Sequence, residues 1–374
     1  MRALLIARMV NRIGGFSMAF LAVLITRELS ATVQTAALIV AAFGLASIPS
    51  RLAGGWLMDR SGPRVTILLG LVGCALAQLA IAVAPTVPLA AGGAVVLGLA
   101  YELIEPPTQA LIAEQGDDRT RSALFGLLFL SMTIAAVAAG GIAAVVAGWN
   151  LRLLFGIDAL TCLICAAVVR GFLPPGERRK AAPVAARPWR DGRFLAVFAL
   201  ASVFTVIHMI VVFGLPLSVS ERGIGLWVIG VHTVVTAVVA VAAQPLLRSP
   251  RLNRYGGTVG VAVGLLLIAG AIAVLAGAYR PWPVLASGVL AAVGEVLVMS
   301  HLYAWAARLA PAGAAGRYLA LFGVSWGVAT AVAPLLLGAW LPVGGGVGLW
   351  LATAIATALL AAVTPLLHRW VRTG

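Results

Sequence analysis

The sequence predicts an all-α membrane protein of twelve transmembrane helices in two six-helix bundles, with the N- and C-termini both cytoplasmic. Three observations carry this prediction. First, 62% of the 374 residues are hydrophobic and only 10% are charged, and the mean hydropathy is +1.06. Soluble domains carry about 25% charged residues and disordered chains are poor in apolar ones, so both classes are excluded. Second, turn and charge punctuation divides the chain into runs of about 20 apolar residues, the length that crosses a bilayer. Third, the basic residues alternate from loop to loop in the pattern that sets membrane topology.

Taken in order, the spans are 4–26, 32–53, 65–84, 88–113, 122–147, 151–173, 194–216, 224–247, 257–278, 282–307, 317–340 and 346–367. The first run is basic and then apolar. Arg8, Asn11 and Arg12 interrupt it and no soluble domain follows, so it reads as a membrane helix and not as a cleaved signal peptide. The second begins past Arg27-Glu28, which reads as a solvated pair at an outer helix end. The segment 174–193, PPGERRKAAPVAARPWRDGR, is the one extended polar stretch. It reads as a cytoplasmic linker joining an N-terminal bundle, 1–173, to a C-terminal bundle, 194–374. Cys74, Cys162 and Cys165 all sit in apolar runs. The Cys162-x-x-Cys165 spacing imitates a redox or metal motif, but without a partner pair nearby these are expected to be buried small side chains.

Orientation follows from charge. With the N-terminus inside, every one of the 26 basic residues except Arg27, Arg152, Arg222 and Arg280 falls on a cytoplasmic segment. The formal charge of +14 is therefore a topology signal. Attraction to anionic lipid is a secondary consequence, and no nucleic-acid partner is implied.

After the second span the chain reads Gly55-Trp56-Leu57-Met58-Asp59-Arg60-Ser61-Gly62-Pro63-Arg64, and after the eighth Arg251-Leu252-Asn253-Arg254-Tyr255-Gly256. Asp59-Arg60-x-Gly62 thus matches Asn253-Arg254-x-Gly256, 194 positions later. With the twelve spans and the central linker, this resembles the cytoplasmic loop signature of the major facilitator superfamily. The resemblance implies transport by alternating access and a gating loop at Gly55, Asp59, Arg60, Gly62 and Arg64 that latches the outward-open state. The second copy lacks the acid, so only the first latch is ionic. In the fourth span, Tyr101-Glu102-Leu103-Ile104-Glu105-Pro106-Pro107 followed by Ala110-Leu111-Ile112-Ala113 resembles bacterial drug-efflux members, as does the stretch 121–155. Two positions depart from that group. Ala94 stands where it often has Arg, four residues before Gly98, and Ala138 replaces the Pro of its span-5 antiporter pattern.

Ionisable side chains at membrane depth are costly, so each is a functional candidate. At a rise of about 1.5 Å per residue, Arg12 and Glu105 each lie about 12 Å below the cytoplasmic edge. Glu102 is one turn deeper, on the same helical face as Glu105. Spans 1 and 4 are neighbours in the family fold, which implies that Arg12 pairs with Glu105 or Glu102, with Asn11 or Arg8 nearby. Two close acids do not both ionise readily, so one is poised to exchange a proton; the competing reading is an ion pair that fixes helix register. Pro106-Pro107 removes backbone donors and predicts a kink. Glu295, near the middle of span 10, falls 194 positions after Tyr101 and so beside Glu102 in the repeat. It is the sharpest candidate for a proton or cationic-substrate site. His208 and His232 share a depth at which they can meet and carry protons, and His301 lies two turns from Glu295. All three equally fit packing roles. Asp158 in span 6 is expected to bond a neighbouring helix. The aromatics Phe16, Phe20, Tyr101, Phe204, Phe213, Trp305, Phe322 and Trp326 near the cavity helices suit stacking on a flat or cationic substrate, with several of them expected to face lipid or pack.

The sequence contains no G-x-x-x-x-G-K-[ST] loop, metal cluster or nucleophile elbow. It therefore reads as neither an enzyme nor an ATP-driven pump, with no cofactor or metal. The expected protein is a multi-pass monomer of the cell membrane whose partners are a small-molecule substrate, protons and the lipid bilayer. The expected function is proton-coupled efflux of small amphipathic or cationic compounds, drugs or metabolites. Uptake of a small metabolite by proton symport or facilitated diffusion is the transport alternative that Ala94 and Ala138 keep open. A membrane receptor on a transporter scaffold is the non-transport alternative.

Overall fold

The computed structural model describes residues 17–113, 134–173, 188–252, 257–311, 315–341 and 346–373. Among them every regular element is helical. In chain order the α-helices are α1 Ser17–Arg27, α2 Val33–Ser61, α3 Pro63–Ala82, α4 Val87–Tyr101, α5 Glu105–Ala113, α6 Ile134–Val146, α7 Leu151–Phe172, α8 Gly192–Glu221, α9 Trp227–Ala243, α10 Thr258–Ala276, α11 Pro281–Leu309, α12 Ala315–Trp340 and α13 Val347–Thr373. Among the described residues, 10 segments are long and apolar enough to cross a membrane. They coincide with all the predicted spans except the first and fifth, of which α1 and α6 are the described parts. Side-chain caps mark several starts. Thr32 Oγ1 accepts from Thr35 N at the head of α2, Asn150 from Arg152 N at the head of α7, and Asp191 from Arg193 N and Phe194 N at the head of α8, each satisfying an otherwise orphaned donor.

Two departures from the sequence reading concern helix continuity. The expected gating loop is mostly helix, since residues 55–61 are the last turns of α2. Only Gly62 leaves the helix, at φ 83°, a left-handed backbone that glycine adopts without a Cβ clash, and Pro63 then starts α3. The fourth span, conversely, is broken outright. α4 stops at Tyr101 and α5 starts at Glu105. Pro106 and Pro107 have no N–H to return to the carbonyls of Glu102 and Leu103, so the expected kink is a gap in the ladder.

The chain forms two compact units, Met1–Ala182 with Ile229–Val234, and Pro183–Val228 with Val235–Gly374. In the first, α3 packs on α4 and α7, and α2 on α4. The broken segment rests on glycines: a Cβ on Gly54 would lie 3.2 Å from Leu103 Cα, and one on Gly70 3.2 Å from Ala100 O. Gln78 donates from α3 to the buried carboxylate of Asp158 on α7, the structural role expected of that acid. The three cysteines are buried and form no disulfide. Glu28 is exposed, as expected, and lies 3.6 Å from Arg152, which also caps the carbonyls of Ala82 and Ala84 at the end of α3. The stretch 229–234 joins this unit at α6, where a Cβ on Gly140 would lie 2.7 Å from Gly230 O.

In the second unit, α10 packs between α11 and α13, and α8 packs on α12 with further contacts to α11 and α13. A Cβ on Gly264 would lie 2.7 Å from Gly294 O, and one on Gly294 2.5 Å from Gly264 O, so α10 and α11 meet backbone to backbone. Positions 264 and 294 are positions 70 and 100 advanced by 194. The close contact of α3 with α4 therefore recurs between α10 and α11, at the offset of the loop motif. Arg222 closes the C-terminal end of α10, donating to Leu275 O at 2.7 Å, Ala278 O at 2.8 Å and Ala276 O at 3.3 Å, where a cation meets the negative end of the helix dipole.

Candidate functional site

Three helices of the second unit build the strongest polar site. α8 supplies His208, α11 supplies Glu295 and α12 supplies Trp326. His208 Nδ1 and Glu295 Oε1 are 2.8 Å apart, with side chains 22% and 35% exposed. The Trp326 ring stands edge-on to the imidazole at 5.3 Å between centroids, and the buried Phe204 ring, one turn earlier on α8, lies 6.3 Å away. α8 and α12 are held in register by Thr205 Oγ1, which donates to Ser325 O at 3.1 Å. The residues preceding Glu295 and Trp326 are thus packing contacts, Gly294 against α10 and Ser325 against α8. A hydrogen bond between imidazole and carboxylate is charge-assisted whenever either group is ionised. Against an ionised carboxylate, which only accepts, the bond persists with one or two protons on the ring when the neutral form is the Nδ1–H tautomer. The site can change its proton count without losing its geometry.

The sequence shows no Arg at the depth of Glu295 and puts His208 and His232 at a shared depth where they can meet. The structure gives Glu295 a partner, and the partner is His208; His232 lies in the stretch that clusters with the first unit. Separation by 87 residues leaves no local pattern that announces such a pair. The one signal available was that each is an ionisable residue in a largely apolar span.

In the first unit, Glu102 lies at the break between α4 and α5, 3.6 Å from Arg51 of α2. Arg51, counted by the sequence among the cytoplasmic-side charges, belongs to the helix that contains the candidate span Val33–Met58. Arg12 and Asn11, the expected partners, lie outside the described residues. Glu105 opens α5 in its first turn, where a helix N-terminus favours a carboxylate. Because residues 102–104 are not helical, Glu102 and Glu105 do not share a helical face as expected.

His301 does not join Glu295. Its Nδ1 is 2.7 Å from Leu297 O, and its ring fills the notch left by Gly257 and Gly260 at the head of α10, where a Cβ on Gly260 would lie 2.7 Å from Cε1. These contacts suit a packing role. Of the gating positions, Gly55 and Asp59 fall in the last turns of α2 and Gly62 forms the corner. The Arg60 guanidinium lies 5.4 Å from the centre of the Trp56 ring, and Arg64 donates to the carbonyl of Arg170 at the end of α7.

A chain of apolar helices long enough to span, with a repeated glycine contact and a charged pair inside one unit, defines a multi-pass membrane protein of the transporter class. The family model of the Major Facilitator Superfamily matches residues 4–334, and the chain belongs to that superfamily as a membrane transporter. Among curated proteins it is similar to "Multidrug resistance protein MdtH" of Cronobacter sakazakii (strain ATCC BAA-894), 27% identical over 174 residues. That match covers 45% of this chain and 43% of the relative, so the chain is aligned to less than half of it. Among solved structures, the POT family transporter PepTSo has a TM-score of 0.82 at 14% identity, covering 99% of this chain and 98% of that one. The peptide transporter POT in complex with sulfate gives 0.80 at 17%, covering 98% and 94%. A POT family transporter in complex with 5-aminolevulinic acid gives 0.80 at 14%, covering 99% and 96%. At these identities the likeness is one of fold.

Proposed function

We propose that this chain is a proton-coupled secondary transporter that exports small amphipathic or cationic compounds by alternating access. Its organisation would be twelve spans in two six-helix bundles, 1–173 and 194–374, with the linker 174–193 and both termini cytoplasmic. The observation that carries the reading is the His208–Glu295 hydrogen bond, an acid and a base at membrane depth bordered by Phe204 and Trp326. Intramembrane ionisable groups are retained where they move protons or hold charge, and an aromatic border suits a cation. Partial similarity to a multidrug resistance protein supports the direction.

In proteoliposomes with an imposed pH gradient, the wild type should drive tetraphenylphosphonium against its own gradient and Glu295→Gln should not. Gradient-driven flux at the wild-type rate in Glu295→Gln sinks the assignment. A second reading is proton-coupled uptake of a small zwitterion, favoured because the pair presents both an acid and a base. Counterflow of a labelled dipeptide without tetraphenylphosphonium flux selects it.

A further inference from the structure

We propose that His208, and not Glu295, carries the exchanged proton, so that one monovalent cation received by Glu295 releases one proton from the imidazole. The inference rests on the export reading above and names the charge chemistry of that site.

The argument is one of charge conservation in a partly desolvated place. An imidazolium beside a carboxylate at 2.8 Å sums to zero, and an uncompensated charge among apolar helices is expensive. A permanent cation that settles against the Glu295 carboxylate brings a second positive charge next to His208. Like charges so close disfavour the protonated imidazole. One N–H bond breaks, its electron pair stays on the ring nitrogen, and the proton passes to water on the accessible side of the pair. Imidazole is then neutral, carboxylate and cation balance, and the sum is again zero. Exchange from a protonated Glu295 would balance charge equally well, but imidazole is ordinarily the stronger base of the two, so the proton shared across the 2.8 Å contact rests on His208 and leaves the carboxylate ionised to meet the cation. No covalent bond to the substrate forms and no electron is transferred. The returning half of the cycle is the reverse: a proton re-forms the imidazolium and the cation leaves. The exchange is electroneutral.

Among the described residues, the other titratable or charged groups on the elements packed against α8 lie well away from His208 along the chain. α8 packs against α11, α12, α13 and the short turn Pro188–Arg190. On α11 the further titratable or charged groups are His301, Tyr303 and Arg308, six or more residues beyond Glu295, and His301 is bonded to Leu297 O. On α12 they are Arg317 and Tyr318, at least eight residues before Trp326, and Tyr318 is bonded to Asp191. On α13 they begin only at His368, and on the turn Arg190 lies 18 residues before His208.

The probe is tetraphenylphosphonium, a cation with no proton of its own, added to purified protein in weakly buffered solution with a pH indicator. The wild type should release about one proton per cation bound near neutral pH, and its Kd should fall about tenfold per pH unit until the imidazole is neutral and stay level above that. His208→Gln and His208→Asn, both first checked for a wild-type unfolding transition, should release no proton and bind with a Kd that does not change with pH. Glu295→Gln should lose binding. Proton release that survives in both His208 variants overturns this inference and leaves the export reading standing, with Glu295 as carrier. Failure of the wild type to bind the cation at all overturns the reading beneath it as well.

Discussion

Replacing Gly264 by alanine tests the backbone contact that places Glu295. The added Cβ would lie 2.7 Å from Gly294 O, 2.8 Å from Val298 Cγ2 and 3.1 Å from Leu297 Cβ. Non-bonded carbons sit best at roughly 3.5–4.0 Å, so α10 and α11 must part by the better part of an ångström, and a carbonyl cannot rotate away as a side chain can. Overpacking of this kind costs about 1–3 kcal/mol. Alanine in a helix interior also gains about 1 kcal/mol over glycine, which a comparison must cancel. Gly270, on the same helix, has nothing within 4 Å of its notional Cβ, so Gly270→Ala collects the backbone gain alone. The difference between the two variants isolates the packing cost, about 1–3 kcal/mol. For a unit of 150–250 residues that is about 2–4 °C per kcal/mol, read as thermal unfolding of purified protein followed by tryptophan fluorescence. Gly70→Ala, the repeat counterpart, should lose less, because its closest contact, Ile104 Cγ1 at 2.6 Å, is a side-chain atom that can turn away and its nearest carbonyl, Ala100 O, is at 3.2 Å. Equal transition temperatures for Gly264→Ala and Gly270→Ala would refute the backbone contact and the repeat argument built on it.

Gln78→Leu removes a hydrogen bond from the buried Asp158 carboxylate and should lower stability by about 1–3 kcal/mol, with Asp158→Leu added to it recovering part of the loss in a double-mutant cycle. Arg222→Gln strips a cation from the last carbonyls of α10; a loss of about 1.5–3 kcal/mol is expected for charged hydrogen bonds, again read as unfolding temperature. Tyr318 lies just before the candidate span that begins at Leu321, and burial, then its bond to Asp191 and the charge of that carboxylate, push its phenol above the usual value. A raised folded-state pKa means that the unfolded chain gives up the proton first. The Tyr318 contribution is therefore whole below about pH 10 and is lost as pH rises through the folded-state value. Tyr318→Phe should flatten that alkaline loss in a pH series of unfolding temperatures; an unchanged slope counts against the bond.

The fold was legible to a large degree. Length and apolar runs place ten spanning segments, and the 194-residue offset read from Asp59-Arg60 and Asn253-Arg254 reappears as the paired contacts Gly70–Ala100 and Gly264–Gly294. The site was legible in its members but not in its pairing. Glu295 and His208 stood out separately as polar residues in apolar helices, and Arg51 was passed over because its depth depends on how far α2 continues. The double proline announced a disturbance in span 4, and whether it became a bend or a gap depended on what received the chain, here Gly54 and Gly70.

Composition, run length and charge alternation are one-dimensional properties imposed by the bilayer, and by themselves they determined that this is a helical multi-pass protein with an internal repeat. Which side chains meet is another matter. A helix apolar on every side carries no stripe to fix its rotation about its own axis. The angle at which α8 turns His208 toward Glu295 is set by Thr205 on Ser325 O and by Gly294 against Gly264. Only the packed structure decided that, because the forces that choose it act between residues far apart in the chain.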